Sequence, residues 1–232
     1  MNELLLILSL VGLYGSVVLF YRLFGKLGLY CYSAVATVLA NIEVLLLVNA
    51  FGMEMTLGNI LFATTFIVTD ILSETEGKRA AQKAVYLSVG CSVLFLLVSQ
   101  SWLLYVPAAS DWAAPSFHTI FASTPRMLLS SLIVYAVTQM IDVWLYHFWW
   151  KLTERLSGDS RRFLWVRNNG STLISQLANT VLFSVFAFWG TYDTPTLLSI
   201  ILSSYVIFIV TSIADTPFVY MARKIHEKGL VK

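Results

Sequence analysis

Charge is scarce in this chain. Only 12% of its residues are charged while 58% are hydrophobic, and the mean hydropathy is +0.76. An ordinary soluble domain carries roughly a quarter charged residues, so a water-filled exterior over most of the surface is excluded. Other absences narrow the chemistry. No G-x-x-x-x-G-K-[ST] loop is present, which removes nucleotide hydrolysis by that route. No H-E-x-x-H occurs, and the three histidines, His118, His147 and His226, are scattered, so no shared metal is expected. No Ser or Cys has a His spaced to activate it. Neither an enzyme nor a cofactor is expected. The two cysteines, Cys31 and Cys91, fall in apolar runs toward the side where disulfides are disfavoured, and are read as small apolar packing residues.

What the chain does have is long apolar runs. A helix needs about 20 residues to cross about 30 Å of hydrocarbon, and seven runs qualify: Leu4 to Leu23, Gly28 to Phe51, Met55 to Leu72, Ala84 to Val106, Met127 to Trp150, Leu173 to Trp189 and Thr196 to Tyr220. The expected fold is an all-α integral membrane protein, a bundle of six to seven transmembrane helices forming one polytopic domain over residues 1–232. Glu3 stands where a signal peptide would carry basic residues, and the positive charges follow the first run, which is therefore read as a true span.

Basic residues are retained on the cytoplasmic side of a membrane. Arg22 and Lys26, then Lys78, Arg79 and Lys83, then Lys151, Arg155, Arg161, Arg162 and Arg167, then Arg223, Lys224, Lys228 and Lys232 fall in alternate connections, fourteen of the fifteen in the chain. Arg126 lies on the opposite side, with Glu54, Asp111 and Asp193. The N-terminus is expected outside and the C-terminus in the cytoplasm. The one long outer connection, residues 107–126, holds three of the five prolines and reads as a re-entrant or interfacial flap. The basic segment 151–167 reads as an interfacial turn that fixes topology and not as a nucleic-acid site.

Against this background the intramembrane polar residues are conspicuous. A charge at the centre of a span costs on the order of 2.5–3.5 kcal/mol on insertion scales. Glu43, Asp70, Asp142 and Asp215 qualify, with Glu74 at the inner edge, and apart from Arg22 at the inner end of the first run no Lys or Arg lies within the runs to match them. Protons, water or a ligand must then satisfy these groups. The segments VTQMID (137–142) and VTSIAD (210–215) share the pattern V-T-x-x-x-D, 73 residues apart, and Asp70 precedes Asp142 by 72. That hint of a repeat places three aspartates at similar depth. Helical spacing sets Asp70 and Glu74 on one face, Tyr135, Gln139, Asp142 and Tyr146 on another stripe, and Asn168, Thr172, Ser175 and Asn179 on a third, with Gln176 beside it. Asn41 joins Glu43 on the second run. Amides in lipid also serve as interhelical ties, and Asp70 and Glu74 can alternatively pair with Lys78 and Arg79. Carboxylates, carboxamides and nearby rings such as Phe183, Phe188 and Trp189 suit a planar, donor-rich heterocycle.

The stretches GNILFATTFIVTDILSETEGKRAA, PRMLLSSLIVYAVTQMIDVWLY, LWVRNNGSTLISQLANTVLFSVFAFWG and ADTPFVYMARK, taken together, resemble the queuosine precursor transporter family, also called the vitamin uptake transporter family. The resemblance runs from about Gly28 to Tyr220. It implies uptake of 7-deazaguanine bases, queuine or pre-queuosine precursors, across a bacterial inner membrane for insertion into transfer RNA. Carried over residue by residue, it points to Thr69, Asp70 and Glu74; Pro125 and Arg126; Gln139 and Asp142; Arg167, Asn168, Asn169, Ser171, Thr172, Ser175 and Gln176; and Asp215, Thr216 and Pro217. The chain departs from the family's pattern at Asn179, where an acid is expected, and near Ile207 or Phe208, where a lysine is expected. The partners implied are a small heterocyclic substrate and membrane lipid, with no nucleic acid. Two architectures are open: a stand-alone carrier, or a substrate-binding subunit energised by separate ATPase partners. Ser9, Gly12 and Ser16 on the first run would permit close packing of two copies as a homodimer.

Overall fold

The structure is a computed structural model that describes residues 1–122 and 125–231. Lys232 and the side chains of Glu54 and Pro125, to which the sequence reading gave places, lie outside the described residues.

The first two expected spans form one helical element, α1 (Asn2–Glu43), broken at Gly25, whose φ of 57° and ψ of −147° are not helical. That backbone region is essentially restricted to glycine. The arms on either side, residues 2–24 and 26–43, fold back on each other. The Tyr32 hydroxyl donates to the Leu13 carbonyl at 3.2 Å and lies 3.1 Å from the Ser16 hydroxyl, and Phe20 meets the Tyr32 ring edge-on.

The chain then departs from the expected helices. The sequence reading carried the second span to Phe51 and began the third at Met55, whereas β1 (Leu47–Ala50) and β2 (Met53–Thr56) pair antiparallel, with Ala50 opposite Met53. Phe51 and Gly52 turn the hairpin with φ of 55° and 73°, the mirror-image turn that two-residue hairpins favour. The Asn2 side chain donates to the Asn49 carbonyl and docks the hairpin against the start of α1.

Helix α2 (Gly58–Thr75) is the enclosed centre of the bundle, packed by α1, α3, α5 and α7. A Cβ on Gly58 would lie 2.8 Å from the Val44 nitrogen, so only glycine allows this approach to α1. Helix α3 (Lys78–Trp102) leads to α4 (Ala114–Ala122), a short helix that covers the end of α3 through Trp102, Phe117 and Phe121. This short helix occupies part of the connection expected to form a re-entrant or interfacial flap. Helices α5 (Pro125–Ser157), α6 (Leu164–Phe188) and α7 (Thr194–Glu227) complete the fold. Helix α6 starts nine residues before the expected Leu173, which draws Arg167, Asn168 and Asn169 into the helix.

Among the described residues, five helices are long and apolar enough to cross a membrane. The distribution of side chains agrees with lipid as solvent. Leu4, Leu8, Leu94, Leu97, Leu202 and Ile213 point outward, while α6 turns Asn168, Thr172, Ser175 and Gln176 inward. Apart from the hairpin the chain is α-helical, a multi-pass membrane protein. Cys31 and Cys91 are free and exposed on the outer face, which corrects their reading as internal packing residues.

Candidate functional site

Helix α6 organises the interior. Three of its polar side chains, at the spacing of one helical face, each hold an aspartate from a different helix. Asn168 Nδ2 donates to Asp215 Oδ1 of α7 at 2.7 Å, Thr172 Oγ1 to Asp70 Oδ2 of α2 at 3.2 Å, and Ser175 Oγ to Asp142 Oδ1 of α5 at 2.7 Å. A turn further along, the Thr138 hydroxyl reaches Asn179 Oδ1 at 3.5 Å. The three aspartates are no more than 1% exposed. Within the described protein, Asp70 Oδ1, Asp142 Oδ2, Asn168 Oδ1 and Gln176 Oε1 are buried acceptors that receive no hydrogen bond, and none of the three aspartates forms an ion pair.

Beyond this layer, toward the end of the bundle that carries the basic connections, lies an ion cluster the sequence did not reveal. Arg167 is fully buried and grips Glu74 with Nη2–Oε1 at 2.6 Å and Nε–Oε2 at 2.9 Å. Arg223 approaches Glu74 at 3.3 Å, the Tyr146 hydroxyl donates to it at 2.7 Å, and the Arg167 guanidinium lies 4.2 Å from the Trp150 ring centre. Two expectations are corrected. Glu74 pairs with Arg167 and Arg223, not with Lys78 or Arg79, so the acid at the inner edge, unlike the three aspartates, does have matching arginines. Sequence counted Arg167 as a topology-setting surface charge, and the early start of α6 is what buries it.

Above the aspartates, toward the β-hairpin end, a cavity of about 50 Å³ opens between α1, α2, α5, α6 and α7. Its walls carry three amides, Asn41, Asn59 and Asn179, and three rings, Phe62, Phe183 and Phe208. Asn41 Oδ1 accepts from Ser131 at 2.6 Å, and Asn59 Nδ2 is a buried donor without an acceptor in the described protein. Sequence reasoning missed Asn59, although it is the only polar side chain in the stretch GNILFA and stands one turn before the central helix becomes wholly enclosed. Of the family departures, Asn179 and Phe208 line this cavity. At this size it admits a water or two.

The remaining candidates are placed elsewhere. Gln139 has both ends engaged by α2, donating to Thr65 at 2.7 Å and accepting from Thr69 at 3.2 Å, which makes it an interhelical tie. Asn169 ties α6 to Thr216 and Ser212 of α7. Arg126 is exposed and donates to the Phe186 and Trp189 carbonyls, clasping the end of α6. Glu43, expected at mid-span, is the last residue of α1 and borders a separate surface hollow with Ser9 and Gly12.

A helical bundle with apolar side chains outward, polar groups turned inward and a cavity among them is the construction of a membrane transporter for a small polar molecule. The profile of a family described as "Putative vitamin uptake transporter" matches residues 56–222. The chain is 40% identical over 208 residues to the "Probable queuosine precursor transporter" of Bacillus subtilis (strain 168), covering 90% of this chain and 89% of that protein. It is 27% identical over 154 residues to the "Queuosine precursor transporter" of Escherichia coli (strain K12), covering 66% of this chain and 64% of that one. No solved structure matches. The chain belongs to the queuosine precursor transporter family, also called the vitamin uptake transporter family.

Proposed function

We propose that this protein is a stand-alone carrier that imports queuosine precursors, 7-deazaguanine bases such as queuine, across a bacterial inner membrane for transfer RNA modification. The observation that carries the reading is the cavity in which three amides and three phenylalanine rings meet. A flat heterocycle stacks on rings, while carboxamides match the alternating donors and acceptors of its edge. Asn41, Asn59 and Asn179 take the edge, and Phe62, Phe183 and Phe208 enclose the faces. The names of the two relatives support this substrate class.

In this reading seven segments cross the bilayer: the two arms of α1, then α2, α3, α5, α6 and α7. The β-hairpin and α4 lie outside, and the basic connections lie in the cytoplasm, following the positive-inside distribution. The Glu74 cluster then closes the cytoplasmic end, and the cavity widens as helices part to admit the base.

Purified protein in a thermal-shift panel of queuine, a pre-queuosine base, guanine and biotin tests the substrate, since a ligand bound only to the folded state raises stability by RT ln(1 + [L]/Kd). The 7-deazaguanines should stabilise and biotin should not. Uptake of queuine into ATP-free proteoliposomes tests autonomy. Absence of both stabilisation and uptake would refute the proposal, and stabilisation without uptake would shift it to a subunit that needs an ATPase partner.

A further inference from the structure

We propose that the layer formed by Asp70, Asp142 and Asp215 is a proton-binding site, distinct from the substrate cavity, that couples import to proton entry. The inference rests on the carrier reading, and its argument begins with charge. Three carboxylates from three helices are buried against one face of α6, at Asn168, Thr172 and Ser175. Of the arginines at this end of the bundle, the two that reach its interior, Arg167 and Arg223, are both engaged by Glu74. An unpaired carboxylate in a membrane interior is costly, and three together repel one another, so positive charge must enter the layer for the helices to pack as they do.

The hydrogen bonds indicate which positive charge. Each aspartate receives one bond from α6 on one oxygen. Asp70 Oδ1, Asp142 Oδ2 and Asn168 Oδ1, all buried, receive none from the described protein. A layer of acceptors short of donors is completed by protons, because each carboxyl hydrogen neutralises one oxygen and supplies a donor for a neighbour. A divalent metal would need about six oxygens in a shell, and among the described residues no three acidic, histidine or cysteine side chains are arranged to hold one. The substrate is not the natural occupant either. None of the three acids lines the cavity, and Ser175, which holds Asp142, sits one turn below the Asn179 that does.

The ionisable surroundings leave this role to the aspartates. Tyr14 of α1 faces Asp70 and Asp215 with its hydroxyl tied to the Thr211 carbonyl. Glu74 on α2, Tyr146 on α5, Arg167 on α6 and Arg223 on α7 are bound into the ion cluster. Helix α3 buries Ala81, Ala84, Ser88 and Ser92, none of which titrates, and Ser88 donates to Ser33 of α1. A proton taken from the outer side by this layer and released to the cytoplasm moves one positive charge inward. Every aspartate is bonded to α6, so loading alters what holds that helix to three others, which is the differential interaction that coupling requires.

The test uses purified protein in proteoliposomes with queuine. A gradient acid on the uptake side should drive accumulation, up to about tenfold per pH unit if one proton accompanies each base. Asp142→Asn should abolish accumulation while retaining queuine counterflow, because exchange of loaded carriers needs no net proton movement. Uptake indifferent to the gradient overturns the proposal, and so does a variant that stays monodisperse but loses counterflow together with accumulation, which would put Asp142 in the substrate site. If queuine is not carried at all, the substrate assignment has failed, and a second measurement decides the proton site alone. Infrared difference spectra of the wild-type protein between acid and neutral pH should contain a protonated-carboxyl band that Asp70→Asn, Asp142→Asn or Asp215→Asn diminishes. A spectrum without such a band overturns the site.

Discussion

Glu74→Gln is the sharpest single test of the packing described above. Glu74 accepts two hydrogen bonds from Arg167 and one from Tyr146 and lies 3.3 Å from Arg223, with the Glu74 and Arg167 side chains 3% and 0% exposed. The amide keeps the shape of the side chain and removes its charge. Arg167 retains the Ser160 and Arg162 carbonyls, at 3.3 and 3.0 Å, and the Trp150 face. Those contacts exist in both proteins and do not offset the loss. Arg223 retains Glu227. Breaking a buried pair by removing one partner costs about 3–5 kcal/mol. Because the glutamine oxygen still accepts one bond, about 3 kcal/mol is expected, on the order of a hundredfold in the folding equilibrium. Reversible unfolding of the purified protein in mixed micelles measures this, and a cycle with Arg167→Met isolates the pair. The cycle should return a coupling of about 2 kcal/mol or more. A Glu74→Gln protein within about 0.5 kcal/mol of the parent, or a coupling near zero, would mean that the cluster is ornamental and the reasoning about the closed end is wrong.

Three further outcomes are expected. Gly25→Ala should lower the thermal midpoint, because φ of 57° with ψ of −147° costs a side-chain-bearing residue about 1–3 kcal/mol, whereas Gly15→Ala, whose Cβ meets nothing within 4 Å, should be neutral or stabilising. Asn59→Leu should stabilise the ligand-free protein, since it removes a buried donor that has no acceptor, and weaken queuine binding about tenfold through one lost hydrogen bond; thermal shift with and without queuine reads both. Replacing Cys31 and Cys91 by alanine should leave the midpoint unchanged, as both lie on the outer face, and a shift of several degrees would place them in packing contacts instead.

The stripe of α6 was legible because residues 168, 172, 175 and 179 obey helical spacing and polar side chains are expensive in lipid. The turn after the first span was legible too, from Arg22 and Lys26 flanking Gly25. The β-hairpin was not. Leu47, Val48, Met53 and Met55 raise hydropathy as much in a strand as in a helix, and only Phe51–Gly52 marks the turn. The Glu74–Arg167 pair spans 93 residues, and composition alone assigns an arginine beside a basic loop to water. Asn59 escaped notice because attention fell on charged residues at mid-span, while a neutral amide near a helix start has no distinctive spacing.

The three bonds from α6 to Asp70, Asp142 and Asp215 radiate from a single axle. Turning that rod cannot loosen one follower and leave the others seated, so the spokes disengage together or not at all. In the proposed carrier such a camshaft would have few resting positions and would resist half-open leaks between compartments. Its weakness is the converse: damage anywhere along the shaft disturbs the timing of every helix that it touches.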